Sequence, residues 1–154
     1  MILRVVLAVV LTTALVTVAA PAVSVAGADR AESTVDRQLT TLASNLGQMV
    51  AIDDPTAGRG ARHVTALRLP GRTLTSADVT RLRLYGREGV GLASWRVSDG
   101  AESSTRLSGV PIRAVGGGSL TLRESGTHRL VFGLDKRANR TVLTVRRPGG
   151  DGDA

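Results

Sequence analysis

The chain has 154 residues, with 20 Lys and Arg against 13 Asp and Glu, and a formal net charge of +7. It has no cysteine, which excludes disulfides, thiolate metal sites and a cysteine nucleophile. Two histidines are too few for a three-histidine zinc site, and three aromatic residues are too few for the stacking surfaces that bind single-stranded nucleic acid. The length allows one modest domain.

The first segment, residues 1–28, is strongly apolar, and residues 5–28 contain no charged side chain. A helix of that length spans about 36 Å, which exceeds the roughly 30 Å of a bilayer core. The segment is predicted to be a transmembrane anchor, with a cleaved signal peptide as the alternative and a buried core helix as a third reading. In the signal peptide, Arg4 would supply the basic start and residues 26–28 the small-residue cleavage region. The length of the run favours the anchor, because a signal peptide's apolar region is about 7–15 residues.

Flanking charges do not determine the orientation, since Arg4 lies on one side and Arg30 and Arg37 on the other. The short N-terminus and the signal-like composition favour a C-terminal domain outside the cell. The protein is thus expected in the cell membrane as a single-pass protein, or alternatively as a secreted one.

The second segment, residues 29–57, is predicted to be an amphipathic stalk helix and linker. Apolar residues recur there at spacings of 4, 3, 4 and 3, which places them on one side of a helix. We expect this stripe to pack on the protein's own sheet; a short coiled coil is the alternative, although the repeat covers little more than two heptads. Asp53, Asp54, Pro55 and Gly58 are expected to end the helix. The stripe consists of Val35, Leu39, Leu42, Leu46 and Met49.

The third segment, residues 58–147, changes to a period of two, which is typical of strands. Turn signals recur every 8–12 residues and predict seven or eight short strands in an antiparallel β-sandwich or open barrel. The overall prediction is a mainly β protein with one long N-terminal helix, followed by a disordered tail at residues 148–154. The expected strands are 64–69, 81–85, 90–97, 102–107, 110–115, 119–123, 128–134 and 141–146.

The positive charge lies almost entirely in this third segment, which holds 17 basic and 6 acidic residues, whereas residues 29–57 carry a net charge of −3. All basic residues except Lys136 are arginine, which is the simple consequence of a GC-rich genome. The functional alternative is a basic β-domain that faces an anionic partner, such as a lipid headgroup, a surface glycan or an acidic protein. A nucleic-acid partner is not expected, because an anchor or export signal would keep the domain away from nucleic acid.

Few residues suggest chemistry. His63 and His128 lie in alternating strands, where a solvated histidine is the simplest interpretation. A hydrolase using His128 with Glu124 is a weak alternative, because no nucleophile elbow or oxyanion loop accompanies the pair. Residues 116–118 are three glycines, interpreted as a hairpin loop because a phosphate loop would need a following Gly-Lys-Ser/Thr and a helix. We expect no catalytic residue, cofactor, metal or small-molecule substrate.

Asn139 is a candidate N-glycosylation site if the domain is exported. Asn139, Arg140 and Thr141 match the acceptor pattern, and they lie in a predicted turn. The structural alternative is that asparagine is a common turn residue in its own right.

Several segments together resemble a small, uncharacterised haloarchaeal family of membrane-anchored proteins. That resemblance implies an association with type IV pilus or secretion-like systems, and no site residues. Such proteins are usually acidic, so the charge of +7 is a departure. The segments that carry the resemblance are 4–11, 21–23, 67–70, 74–77, 109–113, 122–126, 128–131 and 142–147.

The order of apolar helix, amphipathic continuation and β-domain also resembles a type IV pilin. The chain departs from that pattern ahead of Val5, where no prepilin-type leader is seen, and in lacking the glutamate near the start of a mature pilin helix. The sequence therefore predicts a non-enzymatic, pilin-like accessory protein of a surface-assembly apparatus, anchored in the membrane and in contact with pilus or secretion proteins. The alternative is a secreted soluble β-domain binding module, released by signal peptide cleavage.

Overall fold

The computed structural model describes residues 2–53, 62–73, 75–98 and 100–149, without the side chains of residues 2, 16 and 18–23. This part of the chain forms one helix, α1, and eight strands. Their bounds are α1 Ile2–Ile52, β1 Arg62–Leu69, β2 Val79–Arg87, β3 Val90–Val97, β4 Glu102–Ser108, β5 Ile112–Ala114, β6 Leu120–Leu122, β7 Gly126–Arg137 and β8 Arg140–Arg146.

Helix α1 runs through both the apolar segment and the stalk without a break. Threonine side chains near its N-terminus form hydrogen bonds within the helix. The hydroxyls of Thr12, Thr13 and Thr17 each donate to the backbone carbonyl four residues earlier, at 2.7–2.8 Å. At the other end, the amide of Asp53 donates to the carbonyl of Met49. The helix ends at Ile52, directly before Asp53, the first residue of the predicted stop, and the rest of that stop, at residues 54–58, lies outside the described residues.

The strands form two four-stranded sheets, so the mainly β prediction is confirmed. One sheet has the order β1-β7-β8-β5 and the other the order β4-β3-β2-β6. The prediction of a purely antiparallel arrangement is wrong at one place, because β5 pairs with β8 in parallel. The chain reaches β5 by crossing from β4 of the other sheet, and Pro111, immediately before β5, accepts a hydrogen bond from the amide of Leu143. This crossing sets the direction of the strand.

The interpretation of residues 116–118 as a hairpin loop is also wrong. They connect β5 and β6, which belong to different sheets. All three glycines have a positive φ, between 72° and 102°, which L side chains rarely adopt. The segment is therefore a link between sheets whose backbone geometry favours glycine.

A single core lies between the two sheets and the helix. Strand β2 alternates buried apolar with exposed polar residues: Leu82 and Leu84 are buried, and Arg81 and Arg83 are exposed on the other face. Phe132 from the first sheet is fully buried, and Trp95 from the second is nearly so. The alternation explains how a chain so rich in arginine keeps its interior apolar.

Helix α1 packs along the open side of the two sheets, in contact with β1, β3 and β4. All members of the stripe, Val35, Leu39, Leu42, Leu46 and Met49, are 0–2% exposed and belong to the common core. The stripe therefore faces the protein's own strands. Because β1 and β4 are edge strands, the helix also shields two sheet edges.

Candidate functional site

The N-terminal part of α1 presents apolar side chains to the surroundings. Between Leu3 and Leu15 the large apolar side chains are 53–82% exposed, and Val25 is 61% exposed. From Ala31 to Met49 the apolar face of the same helix is buried. One helix thus has two environments, and the change occurs between Val25 and Ala31.

Within the part of the chain that the structure describes, no helix is both long and apolar enough to cross a membrane.

The change of environment coincides with a contact between the helix and the segment before β2. The carbonyl of Gly27 accepts a hydrogen bond from the amide of Ala77 at 3.1 Å. A Cβ atom on Gly27 would lie 3.5 Å from the nitrogen of Ala77 and 3.6 Å from that of Ser76, which is van der Waals contact, so the helix packs closely on this segment. Within residues 26–28, interpreted from the sequence as a cleavage region, Gly27 and Ala28 therefore also have a packing role.

A second contact fixes the far end of the helix. His63, at the start of β1, lies with Nε2 3.1 Å from Oδ2 of Asp53. The histidine side chain is 56% exposed, which agrees with the interpretation of a solvated strand histidine, and the contact with Asp53 is an addition to it. The pairing was missed because Asp53 and His63 belong to different elements, and no local spacing signals it.

The outer face of the second sheet carries a row of arginines, which we call the arginine row: Arg96 on β3, Arg81 on β2 and Arg123 after β6. Arg81 pairs in register with Arg96, and Arg123 follows Leu122, the partner of Leu82, so it lies beside Arg81. The three residues line one surface groove with Thr80 and Ser98.

Glu102 on β4 ends this row, in register with Arg96. Its carboxylate lies 3.7 Å from the guanidinium of Arg96. The pKa of Glu102 lies below its usual 4.5, mainly because of a hydrogen bond from Ser94; desolvation opposes this shift, and the positive charges of Arg81, Arg96 and Arg83 each add to it. Glu102 therefore stays ionised and offsets part of the charge of the row.

The pairing suggested for a hydrolase is wrong in its geometry. His128 Nε2 lies 2.7 Å from the backbone carbonyl of Glu124, whereas an acid–base pair would use the carboxylate. The ring therefore closes the turn before β7. Among the described residues, no group of three His, Asp or Glu side chains is arranged to hold a metal ion.

Asn139 lies at the tip of the turn between β7 and β8 and is exposed. Ala138 and Asn139 both have positive φ, 46° and 62°, which is the geometry of the tight two-residue hairpin that favours asparagine. This turn gives Asn139 a structural reason to be present, and its glycosylation stays a prediction.

Comparison with known proteins gives a family without a known activity. No curated protein and no solved structure matches the chain. The model of a domain of unknown function, DUF7311, matches residues 2–148, which is nearly the whole chain. The protein therefore belongs to the DUF7311 family.

Proposed function

We propose that this protein is a non-enzymatic, membrane-anchored accessory component of a surface-assembly apparatus of the type IV pilus or secretion kind, with its β-domain outside the cell. The observation that carries the proposal is the division of α1: its described large apolar side chains are exposed from Leu3 to Leu15 and at Val25, whereas the apolar stripe from Ala31 to Met49 is buried against the strands.

The exposed part of the helix is costly in water. Burying a large aliphatic side chain contributes about 1.5–3 kcal/mol, and eight such side chains between Leu3 and Leu15 are mostly exposed. Contiguous exposed apolar surface marks a contact with a membrane or another protein. The threonine hydroxyls in this part bond to their own helix, which lowers the cost of placing them in a lipid environment. These points support a bilayer as the environment of the segment.

The assignment to a pilus or secretion apparatus is a second step of the proposal, beyond the membrane anchor. Its support is a single helix that presents apolar residues at one end and holds a β-domain at the other, which resembles the design of pilins. Its partners would be pilus or secretion proteins that contact the β-domain or the helix.

Membrane fractionation tests the anchor. We expect the full chain to stay in the membrane pellet after washing with high salt and alkaline carbonate, and its N-terminal sequence to precede Val5. A variant carrying Leu7→Arg and Leu11→Arg should lose retention, because each arginine at mid-membrane costs about 2.5–3.5 kcal/mol. Recovery of a soluble form that begins near Asp29 would refute the anchor.

The alternative, a secreted soluble binding module, is supported by the small residues at 26–28, where a signal peptidase would cleave. The contact of Gly27 with Ala77 gives those residues a second explanation. N-terminal sequencing of the fractionated protein separates the two candidates, since only cleavage produces a chain that begins near Asp29.

A further inference from the structure

We propose that the arginine row, Arg81, Arg96 and Arg123, binds the phosphate groups of anionic lipid headgroups in the membrane that α1 enters. The inference rests on the proposed anchor, and it adds the chemistry of a second membrane contact. The position of the row, its poorly compensated charge and its geometry support the inference.

The row lies at the end of the β-domain from which the apolar helix leaves. Ala77 contacts Gly27, immediately after the exposed apolar part of the helix. Arg81 is four residues further along the chain, no more than about 13 Å away even in a fully extended strand. The amide and hydroxyl of Ser98, beside Arg96, both bond to Asp78, which follows Ala77. A bilayer around the apolar segment would therefore have its headgroup layer near the arginine row.

Charge at the row is poorly compensated within the protein. Like charges on directly paired residues of neighbouring strands are destabilising, yet Arg81 and Arg96 are paired in this way. Among the described residues, the side chains of Arg81 and Arg123 form no hydrogen bond and no salt bridge within 4.0 Å, although Arg81 interacts electrostatically with Glu102. Arg96 contacts Glu102 through one guanidinium nitrogen, and its buried Nε has no hydrogen-bond partner. Glu102 supplies one negative charge at one end of the row. Net positive charge is therefore left in the groove.

Arginine is suited to phosphate because its planar guanidinium offers several donors that match the phosphate oxygens. Thr80 and Ser98 line the same groove, but their hydroxyls already donate within the protein, so the guanidinium groups are the donors that remain for a phosphate. By contrast, Arg83 on the same face is already occupied, since its Nε donates to Ser119 at 2.9 Å and its guanidinium lies over the Tyr85 ring at 5.2 Å. The groove formed by the row is thus chemically distinct from the rest of the basic face.

Thermal unfolding of the full chain in lipid nanodiscs tests the site, with Trp95, the sole tryptophan, as a buried fluorescent probe. A ligand that binds only the folded state raises its stability. We expect the Tm to be about 4–8 °C higher in discs that contain phosphatidylglycerol than in discs of phosphatidylcholine alone. The triple variant Arg81→Gln, Arg96→Gln and Arg123→Gln should lose this difference. Comparing lipids within each variant removes any change in its intrinsic stability.

The matched control removes the same charge at the opposite end of the domain. Arg87, Arg137 and Arg140 lie at the β2–β3 and β7–β8 turns and are exposed. Their triple glutamine variant should keep the full lipid-dependent rise in Tm. An equal loss in this control would overturn the site, because the effect would then follow net charge.

Two further arms separate other anions. Phosphatidylcholine discs with millimolar inorganic phosphate should show little rise in Tm, and a rise equal to that with phosphatidylglycerol would indicate an adventitious ion only. A rise with polyglutamate and none with phosphatidylglycerol would overturn the lipid assignment in favour of an acidic protein. Carbonate extraction of the same discs tests the anchor independently. Protein that stays inserted but shows no lipid-dependent change in Tm overturns the arginine site. Protein that carbonate extracts overturns the proposed anchor.

Discussion

At the scale of single residues, the leucines of the helix stripe decide where the helix lies. Leu42 is 1% exposed, in the middle of the stripe and within the common core. Ser44, two residues on, is exposed on another face of the same helix. The two positions therefore differ in burial and share the same local helical environment.

Replacing Leu42 by aspartate should destabilise the protein by several kcal/mol, because a charge without a partner would be placed in the core. Leu42→Ala should cost about 2–5 kcal/mol through lost burial and a cavity. Ser44→Asp is the control and should change the free energy of unfolding by less than about 0.5 kcal/mol. Urea unfolding followed by Trp95 fluorescence measures all three. Wild-type stability in Leu42→Asp would show that the stripe does not carry the helix–sheet contact.

At the scale of elements, the helix supplies hydrogen-bond partners to the edge strand β1 of the first sheet. Gln38 donates through Nε2 to the carbonyl of Arg68 at 2.8 Å, and its Oε1 accepts from the amide of Arg68 at 2.8 Å. One side-chain amide therefore satisfies both backbone groups of a residue on β1. On the other sheet, the hydroxyl of Ser103 donates to Glu32 at 2.5 Å, so the helix also holds edge strand β4.

Gln38→Glu should cost about 1 kcal/mol, because a carboxylate accepts from the Arg68 amide but cannot donate to its carbonyl. The exposed Gln48→Glu is the control on the same helix and should be nearly neutral. Urea unfolding followed by Trp95 fluorescence measures the free energy of unfolding of both variants. An equal free energy of unfolding in Gln38→Glu and Gln48→Glu would contradict the edge contact.

At the scale of the whole molecule, two glycines let the sheets approach where the chain crosses between them. A Cβ on Gly91 of β3 would lie 2.5 Å from Oγ of Ser108 and 2.6 Å from Cγ1 of Ile112. A Cβ on Gly86 of β2 would lie 2.9 Å from the carbonyl oxygen of Ile112. Ile112 belongs to β5 of the other sheet and is fully buried. Close packing of β5 therefore depends on the absence of side chains at both positions.

Gly91→Ala should destabilise the protein by about 1–3 kcal/mol, because the added methyl group overpacks the contact with Ile112. The matched control is Gly47→Ala on the exposed side of α1, where a Cβ would have no neighbour within 4 Å. That variant should be more stable by about 0.5–1 kcal/mol, since alanine is the better helix former. Thermal unfolding of both variants checks the opposite signs, and a stabilising Gly91→Ala would refute the close approach.

Local periodicity was enough to predict the helix stripe and most of the strands. The spacing of Val35 to Met49 and the alternation of Leu82 and Leu84 with arginines are properties of neighbouring residues, and burial follows them directly. The strand 90–97 has the predicted bounds, whereas β7 begins earlier and ends later than predicted, at Gly126 and Arg137. Strand ends depend on pairing partners, which local patterns do not contain.

The amino-acid sequence by itself accounts for the helix and strands of this protein. Their periods, the turn residues and the uneven charge are all patterns among residues that are close together in the sequence. Only the tertiary structure determines the contacts between residues that are distant in the sequence. These are the parallel β5–β8 pair, the Asp53–His63 pair, the Gln38 contact with Arg68 and the arginine row. Each joins residues from separate elements, so it depends on how sheets and helix pack in three dimensions. The net charge of +7 shows that the protein is basic. The pairing of the strands determines that part of this charge lies beside the point where the helix leaves the domain.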